Sequence, residues 1–204
     1  ITNLIYENIP VVLLDRFFDE LDCNCVVIDN EEASFNASVE LINNGFRNIA
    51  FISMSSSQTQ MKDRLLGYEK AIENHALEPK VLLIPHNEIF NGKGIEYIKN
   101  YLISHSEIDA VFFATNYLAQ NGLQVFKDLN SNLLTNLGIM TFDDNDMFKI
   151  YPTSISCVAQ PLHEISSKVM ELILQLLNGN DVKKTPQKIV LKSQLILRES
   201  SCRK

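Results

Sequence analysis

Tryptophan is absent from the 204 residues, and glycine (7), proline (6), cysteine (4) and histidine (4) are scarce. So little glycine and proline excludes a collagen-like or low-complexity chain. The histidines are scattered. Cys23 and Cys25 stand two apart and no CxxC occurs, so neither a zinc site nor a disulfide framework is expected, and the thiols read as free in a reducing cytoplasm. Positive charge is in deficit, 18 Lys and Arg against 25 Asp and Glu, for a net charge of −7. A surface that acidic does not dock on a phosphate backbone through its bulk charge. No apolar run approaches the roughly 20 residues of a membrane span, and no signal peptide is read at Ile1.

What is present is an alternation. Val11-Val12-Leu13-Leu14, Cys25-Val26-Val27-Ile28, Ile49-Ala50-Phe51-Ile52, Val81-Leu82-Leu83-Ile84, Ala110-Val111-Phe112-Phe113-Ala114 and Gly138-Ile139-Met140-Thr141-Phe142 are short runs, apolar throughout. Strands covered on both faces read this way. Ser154–Val158 and Ile189–Leu197 are later strand candidates. Between the runs lie amphipathic stretches. Glu31–Asn44 places Phe35, Val39 and Ile42 at helical spacing and stops at Gly45, a residue suited to a left-handed cap. Lys62–His75, Ile95–Ile103, Tyr117–Leu129 and Leu162–Leu177 complete the set. Strand–helix alternation with short connections predicts an α/β fold of parallel sheets wound on both faces. The front, Thr2–Asn8, reads as the tail of a helix entering a Pro-led strand, as though the chain starts within a larger domain.

Enzyme signatures are missing. Gly92-Lys93-Gly94 is a lone GxG, and there is no P-loop, no GxSxG elbow and no HExxH. The Asp143-Asp144-Asn145-Asp146 run follows an apolar strand, but adjacent carboxylates point different ways, which suits a loop or a helix cap better than acid–base chemistry. A stronger pattern is positional. Open α/β sheets bind ligands beyond the carboxyl ends of their strands, and here those ends carry Asp15-Arg16, Asp29-Asn30, Thr115-Asn116, Asp143-Asp144 and Gln160. A hydroxyl-rich loop, Ser53 to Gln60, leads into a helix bearing Arg64. Carboxylates, amides and a guanidinium are the groups that a polyhydroxylated ligand requires.

Taken in order, Pro10–Arg16, Val27–Ala33, Leu41–Ile52, Arg64-Leu65-Leu66-Gly67-Tyr68, Ala110–Asn116, Phe142-Asp143-Asp144, Val158-Ala159-Gln160-Pro161 and the tail Leu195–Ser200 resemble the effector-binding core of lac repressor (LacI/GalR) family transcription regulators. The resemblance implies a periplasmic-binding-protein-like fold, two parallel-sheet lobes joined by three crossovers with the ligand between them. The crossovers are expected near Gly45, Gln160-Pro161 and Pro186–Lys188. One lobe would then hold 1–44 plus 161–188, incomplete as it stands, and the other 45–160 plus 189–204. By the same resemblance Arg64 clamps the effector, Asp143 accepts its hydroxyls, Asn116 and Gln160 supply amides, and Asp15 and Arg16 touch it from the first lobe. Gln60 and Gln58 are expected on the wall.

The family further implies a small-molecule effector, a sugar or sugar derivative, together with homodimerisation, no cofactor, no membrane and a cytoplasmic setting. Operator DNA would be read only through a headpiece absent from these residues. Departures exist: Asn116-Tyr117 stands where the family often has Asn-Asp, and Gly94-Ile95 where it has Gly-Tyr. The ring that stacks on the ligand would fall near Ile89 or Phe90. Phe148, Ile150 and Tyr151 are candidates for the dimer surface, with core packing as the other reading. A sugar-transporter binding protein and an enzyme on the same scaffold are the alternatives.

Overall fold

The apolar runs become strands and sort into two sheets, most deeply buried at the centre of the larger one. The computed structural model describes residues 1–18, 20–89, 91–129, 137–178 and 185–203. In chain order the elements are α1 (Thr2–Tyr6), β1 (Val12–Leu14), β2 (Asn24–Ile28), α2 (Asn30–Asn43), β3 (Ile49–Ser55), α3 (Thr59–Asn74) and β4 (Lys80–Pro85). There follow the single turn α4 (His86–Ile89), α5 (Lys93–Ser104), β5 (Ala110–Phe113), α6 (Asn116–Leu129), β6 (Gly138–Phe142) and α7 (Asp146–Ile150). The last are β7 (Ser156–Ala159), α8 (Leu162–Leu177), β8 (Lys188–Leu191), β9 (Gln194–Ile196) and a 3-10 turn at Glu199–Ser201. One sheet has the order β1-β2-β8, the other β4-β3-β5-β6-β7-β9. Every pair is parallel except β7 with β9.

In the larger sheet successive side chains alternate between two cores. Ile49, Phe51, Ala110, Phe112, Met140 and Phe142 face α2 and α3, where they meet Leu41, Tyr68 and Ile72. Ala50, Ile52, Val111, Phe113 and Ile139 face the other way, against Ile98, Leu118, Leu123, Phe126 and Phe148. Strands sandwiched in this manner need no polar face, which is why β5 is buried at all four positions.

Three expectations are corrected. Helix α2 packs on α3 and touches β6, β7 and β9, so it belongs with the six-stranded sheet, and the first crossover is at Asp29-Asn30 rather than near Gly45. Its buried side is Ala33, Ser34, Ala37, Ser38, Leu41 and Ile42, whereas Phe35 and Val39 are half-buried. Small residues win that face because α3 lies very close. A Cβ on Gly67 would sit 2.1 Å from the Glu31 carbonyl oxygen. The run Ile189–Leu197 is not one strand either. Residues 188–191 pair with β2 and residues 194–196 with β7, so the third crossover is Lys192-Ser193, past Pro186–Lys188. Of the two readings kept open for Phe148, Ile150 and Tyr151, Phe148 takes the core one and is fully buried, whereas Ile150 is 82% exposed and Tyr151 is half-buried.

Candidate functional site

The strand ends singled out in the sequence converge where the two sheets meet. Arg64 projects from the second turn of α3 and is 2% exposed. Its Nε donates to Asn30 Oδ1 (2.8 Å) and one Nη1 hydrogen to the Ala114 carbonyl (2.7 Å). The guanidinium lies 3.9 Å from the centroid of the Phe142 ring, which itself stacks on Phe112. Nη1 stands 4.0 Å from Asp143 Oδ2. Burial pulls the Arg64 pKa down, and the nearby carboxylates of Asp143, Asp15 and Asp63 oppose that pull. An arginine in such company stays charged.

Two carboxylates flank it. Asp15 follows β1 and Asp143 follows β6, and each adopts the left-handed backbone region, with φ of 69° and 68°. That conformation is uncommon outside glycine and costs on the order of 1–3 kcal/mol, a cost met most often at functional positions. Each amide still extends its ladder, Asp15 to Val26 and Asp143 to Val158, so the strained φ turns the side chain aside without unpairing the backbone. Each carboxylate is occupied by an amide. Gln60 Nε2 donates to Asp15 Oδ2 (2.9 Å) and Gln160 Nε2 to Asp143 Oδ1 (2.5 Å). Gln60 is 4% exposed and its Oε1 is buried without a hydrogen-bond partner.

Arg64, Asp143, Gln160, Asp15 and Gln60 are thus one cluster, with Gln58 at its border 3.5 Å from Gln60. Asn116 opens α6 at the end of β5, half-buried. Arg16 is exposed, and its backbone N–H turns back to the Leu14 carbonyl; the hydrogen bonds of the cluster do not include its side chain. Ile89 is buried among Ile84 and Ile98, away from the cluster, and Phe90 lies outside the described residues. A recess of about 240 Å³ adjoins the site, lined by Leu14, Asp15, Val26, Gln160, Leu162 and Ile165 among others. A wider groove, sharing Val27 and Ile28 with that recess, includes Phe17, Asn30, Asp63 and Lys188, with the Lys188 ammonium 3.3 Å from the Phe17 ring centroid.

Asn30, marked in the sequence by its place at a strand end, orients Arg64. Two further contributors were not singled out from the sequence. Phe142 reads as an ordinary core residue in an apolar run, and only the structure puts it under the guanidinium. Ser34 donates its hydroxyl to the Arg64 carbonyl (2.5 Å), fixing α3 against α2. Among the described residues, no group of three His, Cys, Asp or Glu side chains could hold a metal ion, and no helix is long and apolar enough to cross a membrane.

This buried, charged cluster thus lies where the two sheets meet. A family profile described as a periplasmic binding protein-like domain matches residues 39–201. This chain belongs to that family. It is 28% identical over 177 residues to the HTH-type transcriptional regulator RegA of Clostridium saccharobutylicum, covering 86% of this chain and 53% of that protein. It is also 28% identical over 199 residues to the ribose operon repressor of Haemophilus influenzae, covering 95% and 58%. The chain therefore spans little more than half the length of these relatives. A crystal structure of a LacI family transcriptional regulator from Enterococcus faecium with bound ribose superposes with a TM-score of 0.86 at 18% identity, over all of this chain and 74% of that one. The curated relatives named here are transcription regulators, the kind of protein whose effector-binding core the sequence resembles.

Proposed function

We propose that this chain is the effector-sensing core of a DNA-binding transcription regulator, and that its effector is a sugar or sugar derivative. The observation that carries the reading is the Arg64 cluster: a buried, charged guanidinium between two strained aspartates, at the point where the chain passes between its sheets. Carboxylates accept from vicinal hydroxyls while the guanidinium and amides donate to them, so the set matches both roles of a sugar hydroxyl. A relative named as a ribose operon repressor, and the ribose-bound structural neighbour, support the ligand class.

The two sheets are the cores of two lobes, one of residues 1–29 and 161–191, the other of 30–160 and 192–204. A ligand gripped from both sides favours one lobe angle over another and shifts the population of states. In the intact regulator that shift changes operator affinity, through a headpiece outside this chain, in a homodimer working in the cytoplasm. Coupling of this kind is reciprocal: operator DNA must weaken or tighten effector binding by the same factor.

Thermal unfolding of the native full-length protein against pentoses, hexoses, disaccharides and sugar phosphates tests the reading. A ligand at 100 times its Kd stabilises by about 2.7 kcal/mol. A sugar that raises the midpoint in the wild type and not in Asp143→Asn agrees with the proposal. A panel without effect, or a hit indifferent to Asp143, contradicts it.

A further inference from the structure

The three crossovers are not separate tethers. Asp29, on the first, is 9% exposed at its side chain and accepts at Oδ1 from both Ser193 N (2.8 Å) and Ser193 Oγ (2.7 Å) on the third. Its own N–H reaches the Leu191 carbonyl (3.1 Å), and Lys192 Nζ stands 3.5 Å from Oδ2 while also pairing with Glu32. The next residue, Asn30, is 3% exposed; its Nδ2 donates to the Ile28 carbonyl (3.3 Å) and its Oδ1 receives Arg64 Nε. Beyond Arg64 stands Asp143, and Asp143 holds Gln160 of the second crossover. One run of contacts, Ser193–Asp29-Asn30–Arg64–Asp143–Gln160, therefore touches all three crossovers and passes through the effector cluster.

We infer that Asp29 and Asn30 are positioning residues of the effector site: Asp29 clasps the first crossover to the third, and Asn30 converts that clasp into the aim of the Arg64 guanidinium. Asn30 has no freedom to follow any other partner. Its amide is anchored at one end to the backbone of β2, so its oxygen points wherever the crossover backbone points. Moving residue 29 relative to Ser193 moves the acceptor that fixes Nε. The lobe angle and the geometry of the clamp are then one variable, and the ligand reads the first by way of the second. The inference rests on the proposed effector reading for the place of Arg64, and on the hydrogen bonds above for the rest.

The test uses the native full-length protein with D-ribose, cellobiose and sucrose as calorimetric probes, alongside melting curves. For whichever sugar the wild type binds, Asn30→Ala weakens binding about tenfold or more, the scale of a lost hydrogen bond to a charged group. Asp29→Ala weakens it about fivefold, as changes along a coupling network do. Asp29→Asn retains the Oδ1 acceptor for Ser193 and stays within about twofold of wild type. Melting temperatures that fall while Kd stays within twofold in both alanine variants would overturn the inference and leave a structural role only. If the wild type binds none of the three sugars, the ligand class proposed above falls for these sugars. The clasp is then judged by NMR on the unliganded protein. Faster solvent exchange of the Arg64 Nε–H in Asp29→Ala upholds it, and exchange equal to wild type overturns it.

Discussion

Replacing Arg64 by alanine tests fold and site at once. A binding residue in an open cleft could be removed with little effect on stability. The structure dictates otherwise. Arg64→Ala strips the partner from Asn30 Oδ1 and from the Ala114 carbonyl, both buried, and opens a void over Phe142. Leaving a buried acceptor unpaired costs about 1–3 kcal/mol. Against two such losses stands the relief of no longer burying a guanidinium, whose desolvation is itself worth several kcal/mol, although the nearby carboxylates then lose its charge. The net destabilisation expected is about 2–4 kcal/mol. In a domain of this size each kcal/mol moves the midpoint by about 2–4 °C, so the loss is roughly 5–15 °C. Differential scanning calorimetry reads the first quantity, and titration with a bound sugar, well below the variant's midpoint, reads the second. A midpoint within 2 °C or so of wild type refutes the packing argument. An unchanged affinity refutes the clamp.

Other perturbations follow from the same contacts. The Arg198 guanidinium grips Asp144 with two hydrogen bonds (2.9 and 2.8 Å). Burial is the largest influence and works to raise the Asp144 pKa, but the hydrogen bonds from Arg198, Cys157 and the Asn145 amide together with the Arg198 charge outweigh it, and the group sits below its ordinary 3.8. A depressed carboxylate stabilises the fold above its unfolded pKa and ceases to as pH falls through the folded value. Asp144→Asn is therefore expected to cost about 2 kcal/mol between pH 5 and 8 in urea melts, with the gap to wild type closing below pH 3.8; a gap that persists in stronger acid sinks the assignment. Gly67→Ala forces α2 off α3 and loses about 1–3 kcal/mol, and a neutral result in the same melts would mean the helices are not in close approach there. Burial pushes the Cys157 thiol up to about 12, whereas Cys202 is exposed; iodoacetamide at pH 8 labels Cys202 in the native protein and spares Cys157 until it unfolds, as peptide mass spectrometry reports.

Much of this was legible because burial leaves a local trace. Runs such as Ala110–Phe113 have no polar alternation, so they announce a strand covered on both sides, and the carboxylates beyond β1 and β6 stand out against them. The face of α2 was not legible. Hydrophobic spacing favours Phe35 and Val39, but the side that is buried is the smaller one, because what decides it is how close α3 comes, a tertiary fact set by Gly67. The third crossover was hidden for a similar reason. Residues 189–197 read as one β-rich run, and only pairing partners on two sheets divide it at Lys192-Ser193. Arg64 was found for its charge, while Phe142 beneath it looked like any other core side chain.

The two strained aspartates explain why the site is poised rather than simply open. Asp15 stands beyond a strand of the three-stranded sheet, and the amide that holds it, from Gln60, belongs to a helix on the six-stranded one. That bond, with the one from the Phe17 N–H to Thr59 Oγ1 (3.4 Å), ties the end of β1 to α3. Asp143 is held in the same way by Gln160, at the point where the chain leaves the larger sheet. A hydroxylated ligand entering here does not meet bare carboxylates. It must share or replace bonds that the glutamines already make, so most of its binding energy is exchange, and its net affinity depends on what the displaced amides find next. On the proposed reading Gln60 Oε1, buried and unpartnered, is the group that would gain outright, since a ligand hydroxyl would supply the donor it lacks. Gln60→Leu, which keeps the bulk and removes both amide atoms, is thus expected to lower affinity about tenfold, the scale of one hydrogen bond to a buried acceptor, while freeing Asp15 from its bond to α3. If Gln60→Leu binds the effector as tightly as wild type, the glutamine is a bystander and the exchange argument fails.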